Sequence, residues 1–506
     1  MTTASGSGRD RGIMVIAMVV VLGSTMTILD TTIVTVALNH LSRDFHAPLA
    51  TIQWVATAYT LALASVIPVT AWAIGRFGTK RVYMCTIALF TIGSALAGLS
   101  WSAGTLIAFR VLQGLGGGMV TPVGMTIVIR AADPARAGRT MSILGIPVLI
   151  GPLAGPVLGG WLADAISWRA IFFVNLPMGA LVLALAARFL WHSTPQPVQR
   201  LDVAGLLTLS PGLAALVYGL ATGGARGDFG SPGVLAPTIL GVVLIGTFTV
   251  RALTARHPLV DLRLFRRRAF ASGAGALALF VCAFFGSLLL APLYYQLVRG
   301  QSATGAGLLA MPQTLATGIT MQIATRLADK VAPARMVPVG VGVATTGFLI
   351  FTTQVAAGTS YWVLCGAGSV MGVGVGMTLM PTMTAVTRNL AHEVVPAATT
   401  ALSILQQVAG SVGTALMSVL LSGALADRLA GRSDGRPGNA LGAVQALPAG
   451  ARGAIAPRVA EAFQHTYGWA VALMALALLP ALLLPRHLPE AVVAPTDPAN
   501  RVPDPA

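Results

Sequence analysis

Residues 21–40 read VLGSTMTILDTTIVTVALNH and place Asp30 inside a run of apolar residues long enough to cross a bilayer. An ionised side chain in hydrocarbon costs several kcal/mol unless something compensates it. The chain has 16 acidic residues, and only Asp30 lies well inside an apolar run; Asp164 and Asp202 sit at the boundaries of such runs. Among the basic residues Arg110, in TLIAFRVLQGLGGG (105–118), is the one arginine well inside a run. Asp30 falls about eight residues before the end of its helix and Arg110 about six after the start of an oppositely directed one, roughly 12 and 9 Å at the rise of an α-helix. The two charges therefore come to similar depth, where pairing lowers the cost of each. Two readings follow: a static ion pair that fixes helix packing, or a carboxylate that takes up and releases a proton within a membrane, with Arg110 setting how readily it does so.

The elements that must position this pair are membrane helices. Of the 506 residues 55% are hydrophobic and 9% charged, against roughly a quarter charged in a soluble domain. Such a chain cannot clothe a soluble surface, and the expected class is an all-α polytopic membrane protein. Apolar stretches at 13–38, 51–73, 82–100, 104–129, 141–163, 169–190, 202–222, 232–252, 270–292, 304–328, 336–357, 361–387, 398–425 and 468–486 predict about 14 spans. The first is too long for a signal-peptide core and reads as a retained helix. An even count puts both termini on one side, and the Lys/Arg balance makes that side the cytoplasm of a bacterial plasma membrane. The basic loops GRFGTKR (75–81), RAADPARAGR (130–139) and RALTARHPLVDLRLFRRR (251–268) then face inward. The net charge of +16 is thus a topology signal and no argument for nucleic acid. The segment 426–467 is expected as an extracytoplasmic loop with a mobile middle (431–442), and 487–506 as a disordered Pro-rich tail.

Other chemistry is missing. Cys85, Cys282 and Cys365 lie in apolar segments without metal or disulfide spacing and read as packing residues. The sequence holds no nucleotide-binding Walker pattern and no metal-spaced histidine cluster. An enzyme, a metal centre, a bound cofactor and direct ATP drive are therefore not expected.

Residues 145–164, GIPVLIGPLAGPVLGGWLAD, are dense in glycine and proline where a helix should be uniform. In a membrane, glycine lets a second backbone approach closely and proline sets a bend. Gly151, Pro152, Gly155, Pro156, Gly159 and Gly160 make this segment resemble the helix 5 antiporter signature of major facilitator superfamily exporters. SWRAIFFVNLPMG (167–179), LDTTIVTVAL (29–38), QWVATAYTLALA (53–64), RVLQGLGGG (110–118), LDVAG (201–205), APLYYQLVRGQSATGAGLLAMP (291–312) and ALSILQQVAGSVGTAL (401–416) are similar, in order, to stretches of its fourteen-helix drug:proton antiporter branch. There are departures. In AWAIGRFGTKR (71–81), Gly75 stands where aspartate is usual and Ala71 where glycine is, while Arg76, Gly78, Lys80 and Arg81 keep the gate-loop pattern. Thr35 and Asn39 replace a common Asn and Pro, and Gln406 a frequent arginine.

The resemblance implies two six-helix bundles, 13–190 and 270–486, with an extra helix pair at 202–252, a basic loop at 253–269 and a cytoplasmic tail at 1–12. It implies rocking of the bundles around a midplane cavity, placing Asp30 and Arg110 at the cavity as the proton-coupling pair. The partners it implies are protons and an amphipathic drug, dye or antibiotic, exported by a monomer driven by the proton gradient. Neutral or monocationic substrates are expected over dications. Trp54, Tyr59, Gln113, Tyr294, Tyr295, Gln296, Met311 and Gln313 are the residues expected to line the pocket, because aromatic, thioether and amide groups suit large apolar ligands. The alternatives are an exporter dedicated to one secreted metabolite or self-resistance antibiotic, which shares the mechanism, and a proton-coupled uptake symporter, against which the glycine–proline pattern speaks.

Overall fold

The computed structural model describes residues 4–131, 146–191, 201–226, 229–255, 258–328, 330–388, 390–391, 393–428, 444 and 449–484. Among them the regular structure is helical throughout. The helices are α1 (Ala4–Asp44), α2 (Trp54–Phe77), α3 (Thr79–Gly98), α4 (Ala103–Ala131), α5 (Ile146–Ala165), α6 (Ala170–Phe189) and α7 (Val203–Arg226). They continue with α8 (Pro232–Thr254), α9 (Arg268–Leu297), α10 (Ala303–Leu327), α11 (Pro333–Thr353), α12 (Tyr361–Thr387), α13 (Val395–Arg428) and α14 (Ala449–Leu476, prolonged by Leu478–Leu482). Twelve of the described helices are long and apolar enough to cross a membrane. With α5 and α10, 20 and 25 residues long, the described residues carry the expected fourteen.

Two ends differ from expectation. α1 does not stop at 38: it starts at Ala4 and runs 41 residues to Asp44, so residues 4–12, expected as a tail, are helical. Continued backbone hydrogen bonding carries a helix past the apolar window that betrays it. Likewise α14 begins at Ala449, not 468. Its first half, AGARGAIAPRVAEAFQHTYG, holds too many polar groups to read as a span, so 449–467 is helix where a loop was expected. The middle of that loop (431–442) and the tail 487–506 lie outside the described residues.

α1 packs on α5, α2 and α3 on α4, and α3 on α6 in the first half; α9 packs on α13 and α14, and α12 on α10 and α11, in the second. The pair α7–α8 is closed on itself and leans through α7 on α2 and α13. Asp202 caps α7, its Oδ1 accepting from the Gly205 N–H (2.9 Å), and binds Arg251 of α8 through Nε (2.9 Å) and an Nη (2.7 Å). Burial pushes the Asp202 carboxyl up, but the Arg251 and Gly205 donors outweigh it and hold it below the ordinary aspartate range. This carboxylate ties a helix pair together and stands apart from the Asp30 pair.

The α1–α5 seam explains the glycines. A Cβ at Gly155 would collide with the Thr32 side chain, and one at Gly159 would sit 2.9 Å from the Ile33 carbonyl oxygen. Thr32 donates to the Gly151 carbonyl across the seam (3.1 Å). α5 stays helical through Pro152 and Pro156, and Gly160 is half-buried beside the seam. Because the obstacle at Gly159 is backbone, no rotamer change relieves it. Gly159→Val is therefore expected to force α1 and α5 apart at a cost of about 1–3 kcal/mol, read as a lowered Tm of the purified protein together with loss of transport.

At one end of the bundle, Trp168 Nε1 donates to Asp44 Oδ2 (2.7 Å), and Arg169 reaches the same oxygen (3.3 Å) and the Ser100 carbonyl (3.3 Å). The Trp168 hydrogen bond, aided by Arg169, holds the half-exposed Asp44 below its ordinary value of 3.8. A depressed carboxyl contributes stability that is complete above the unfolded value and is lost as pH falls through the folded one. Asp44→Asn is expected to cost less than about 1 kcal/mol at neutral pH, since an exposed pair is screened, and to flatten the Tm-against-pH profile below pH 4.

Candidate functional site

Asp30 and Arg110 meet as the depth estimate required. Each is 1% exposed. Arg110 Nη1 donates to Asp30 Oδ2 at 2.5 Å and to Gln113 Oε1 at 2.7 Å, and its Nε donates to the Val55 carbonyl of α2 at 3.1 Å. Asp30 Oδ1 accepts from Gln113 Nε2 (2.9 Å) and Asn175 Nδ2 (3.1 Å). Asn175 also donates to Ser94 Oγ (3.0 Å), which in turn donates to the Phe172 carbonyl (2.8 Å). The guanidinium carbon lies 4.1 Å from the Tyr59 ring centroid and 5.7 Å from that of Phe172. Helices α1, α2, α3, α4 and α6 thus converge on one buried charge pair. Every neighbour that meets the carboxylate is a donor.

Beside this pair, between the two halves, lies a cavity of about 820 Å³. Its walls come from Thr27 and Thr31 of α1, Thr60 of α2, Thr121 and Met125 of α4, Leu220 of α7, Phe285 and Leu289 of α9, Met380 and Met383 of α12, and a long face of α13. Asp30 and Arg110, expected at the cavity, are not among the lining residues: they project from other faces of α1 and α4 into the first bundle. One face of each helix therefore serves the charge pair and another the cavity. Toward the end of the bundle that carries 77–79 and 131, the buried hydroxyls of Thr126 (α4) and Thr399 (α13) are 2.9 Å apart and join the halves below the cavity.

Residues 20–414 match the family model described as Major Facilitator Superfamily. The chain belongs to the major facilitator superfamily. It is a multi-pass membrane protein of a family of small-molecule transporters. It is 42% identical over 415 residues to the multidrug resistance protein B homolog of Mycobacterium tuberculosis, covering 82% of this chain and 77% of that one. It is 30% identical over 400 residues to the multidrug export protein EmrB of Escherichia coli (79% and 78%). Its fold is shared by the human organic anion transporter MFSD10, with a TM-score of 0.60 at 14% identity over 93% of this chain and 99% of that one. It is also shared by the proton:xylose symporter XylE, with 0.56 at 14% (93% and 95%).

In this major facilitator chain the residues expected to line the pocket lie elsewhere. Trp54 is partly exposed and stacks on Tyr218 of α7, centroids 5.4 Å apart. Tyr59 is the ring under Arg110, and Gln113 belongs to the charge pair. Tyr294 is buried in the second bundle, donating to the Ala356 carbonyl (2.7 Å) among Phe351 and Phe463. Tyr295 and Gln313 border a separate void of about 20 Å³, and Gln296 and Met311 are half-buried away from the main cavity. Large aromatic rings are used here for packing between helices, while small hydroxyl side chains leave the room for a cavity.

Of the gate-loop residues, Gly78 has φ +80° and makes the break between α2 and α3. Lys80 is buried, its Nζ donating to the Ala187 carbonyl at the end of α6 (2.7 Å). Arg76 and Arg81 are exposed. A side chain at Gly75 would meet nothing within 4 Å, so packing does not explain the missing aspartate. Asn175 went unassigned in the sequence, although the signal was there: it is a single amide in the apolar run AIFFVNLPMG.

Proposed function

We propose that the chain exports amphipathic drugs, dyes or antibiotics from the cytoplasm in exchange for protons, with Asp30 as the proton carrier. The buried Asp30–Arg110 pair carries this reading: it is a titratable carboxylate held at the meeting point of five helices, three of which, α1, α2 and α4, also line the cavity. Arg110, Gln113 and Asn175 contact the Asp30 carboxylate. Protonation neutralises Asp30, releases Arg110 from it and lets α1 shift against α4 and α5, which changes the cavity walls carried by the same helices. Substrate and proton then compete through helix position and not through direct contact. The names of the relatives, multidrug resistance and multidrug export proteins, support the direction and breadth of transport.

With both termini cytoplasmic, the Thr126–Thr399 contact lies on the cytoplasmic side of the cavity. Entry of a proton down the gradient supplies about 2.3 kcal/mol per 100 mV for a full charge moved inward. The test is a panel of charged and uncharged amphiphiles offered to proteoliposomes under an imposed pH gradient. The reading expects several compounds to be accumulated against their own gradients and the accumulation to collapse with the pH gradient. Accumulation that survives dissipation of the gradient contradicts it.

A further inference from the structure

Among the described residues that line the 820 Å³ cavity, none has an ionisable side chain. The hydrogen-bonding groups are unevenly distributed. On the first-bundle wall, Thr27, Thr31 and Thr60 donate back to the carbonyls of Ser24, Ile28 and Ala56. On α13, Ser411 and Thr414 do the same, to Gln407 and Gly410. One turn of α13 is different. Ser403 is 8% exposed and its Oγ has no partner. The Gln406 amide reaches nothing better than the Met383 sulfur at 3.9 Å, and Gln407 lines the cavity on the same turn. A buried hydroxyl without a partner carries a desolvation penalty that a ligand carbonyl or hydroxyl would remove.

Resting on the export reading above, we infer that this cavity selects uncharged amphiphiles, read by Ser403, Gln406 and Gln407, and discriminates against organic cations. A cation entering here gives up its hydration and finds no carboxylate to offset the loss. Among the described residues a single ring, Phe285, lines the cavity, which is less than the aromatic cage that holds a desolvated cation elsewhere. Asp30 offers no counter-charge: it sits off the cavity and is already neutralised by Arg110. An uncharged molecule loses only hydrogen bonds to water, and the amides and hydroxyl of α13 replace them. Gln406 is the residue whose chemistry sets this selection, because a carboxylate at its position would supply the missing charge.

The test uses the full chain in nanodiscs and direct binding of four probes: chloramphenicol and linezolid, both uncharged, and tetraphenylphosphonium and ethidium, both permanent cations. The wild type is expected to bind at least one uncharged probe about tenfold more tightly than either cation, a difference of roughly 1.4 kcal/mol. Gln406→Glu at pH 8 is expected to raise cation binding by at least about tenfold and to reverse the order, with Gln406→Ala weakening the uncharged probe without admitting cations. Cations bound as tightly as the uncharged probes, an unchanged order in Gln406→Glu, or no binding of any probe overturns the inference. The same probes in proteoliposomes separate it from the export reading. If the binding order holds and nothing is moved uphill, export fails and selection stands; if cations are pumped as well as neutral probes, export stands and selection fails.

Discussion

Asp30→Asn is expected to give a folded protein that binds amphiphiles and no longer moves them uphill. Asparagine has nearly the shape of aspartate, and its amide oxygen can still accept from Arg110 or Gln113. Arg110 keeps two further acceptors, the Val55 carbonyl and Gln113 Oε1, so the guanidinium is not abandoned. The loss of one charge from a buried pair still costs about 3 kcal/mol, visible as a lower Tm. What vanishes is the titratable group. In proteoliposomes under a pH gradient, accumulation by the variant falls to the level of protein-free liposomes, while downhill exchange of substrate persists because the cavity is intact. Normal uphill flux in the variant would assign Asp30 to packing alone.

Arg110→Met carries the second large effect, and in the opposite sense: it leaves a carboxylate 1% exposed with only the Gln113 and Asn175 amides for company. It also strips the ring contact from Tyr59 and the donor from the Val55 carbonyl. Removing one partner of a buried pair costs about 3–5 kcal/mol because the other charge remains. The double variant Asp30→Asn/Arg110→Met is expected to regain about 2 kcal/mol over Arg110→Met alone, since it no longer buries an unpaired charge. Thermal unfolding of the three variants in one detergent gives the coupling. Strictly additive losses would mean the two side chains do not support each other in solution.

The charge pair was legible from sequence because a lone aspartate and a lone arginine at similar depth in apolar helices have few explanations other than each other. The seam of Gly155 and Gly159 was legible for a related reason, as helices rarely tolerate such residues without a close neighbour. The cavity was not. Thr27, Thr31, Thr60 and Ser403 are ordinary membrane-helix residues, since a hydroxyl can bond to its own backbone wherever it points. Their side of the helix is settled only by how α1, α2 and α13 rotate against neighbours far away in sequence. Tyr294 and Tyr295 misled because aromatic side chains suit a ligand pocket and a helix interface equally well. The ends of α1 and α14 were hidden because hydropathy reports the slab a helix crosses, not the turns beyond it.

That Asp30 exchanges its proton against substrate is tested most directly by proton release from the purified protein in weakly buffered solution. The titrant is a compound that wild-type liposomes accumulate. Because substrate and proton are linked reciprocally, binding is expected to release up to about one proton per protein from the wild type, and none from Asp30→Asn at the same occupancy. Equal release from both proteins would contradict the account and place the coupled proton on another group.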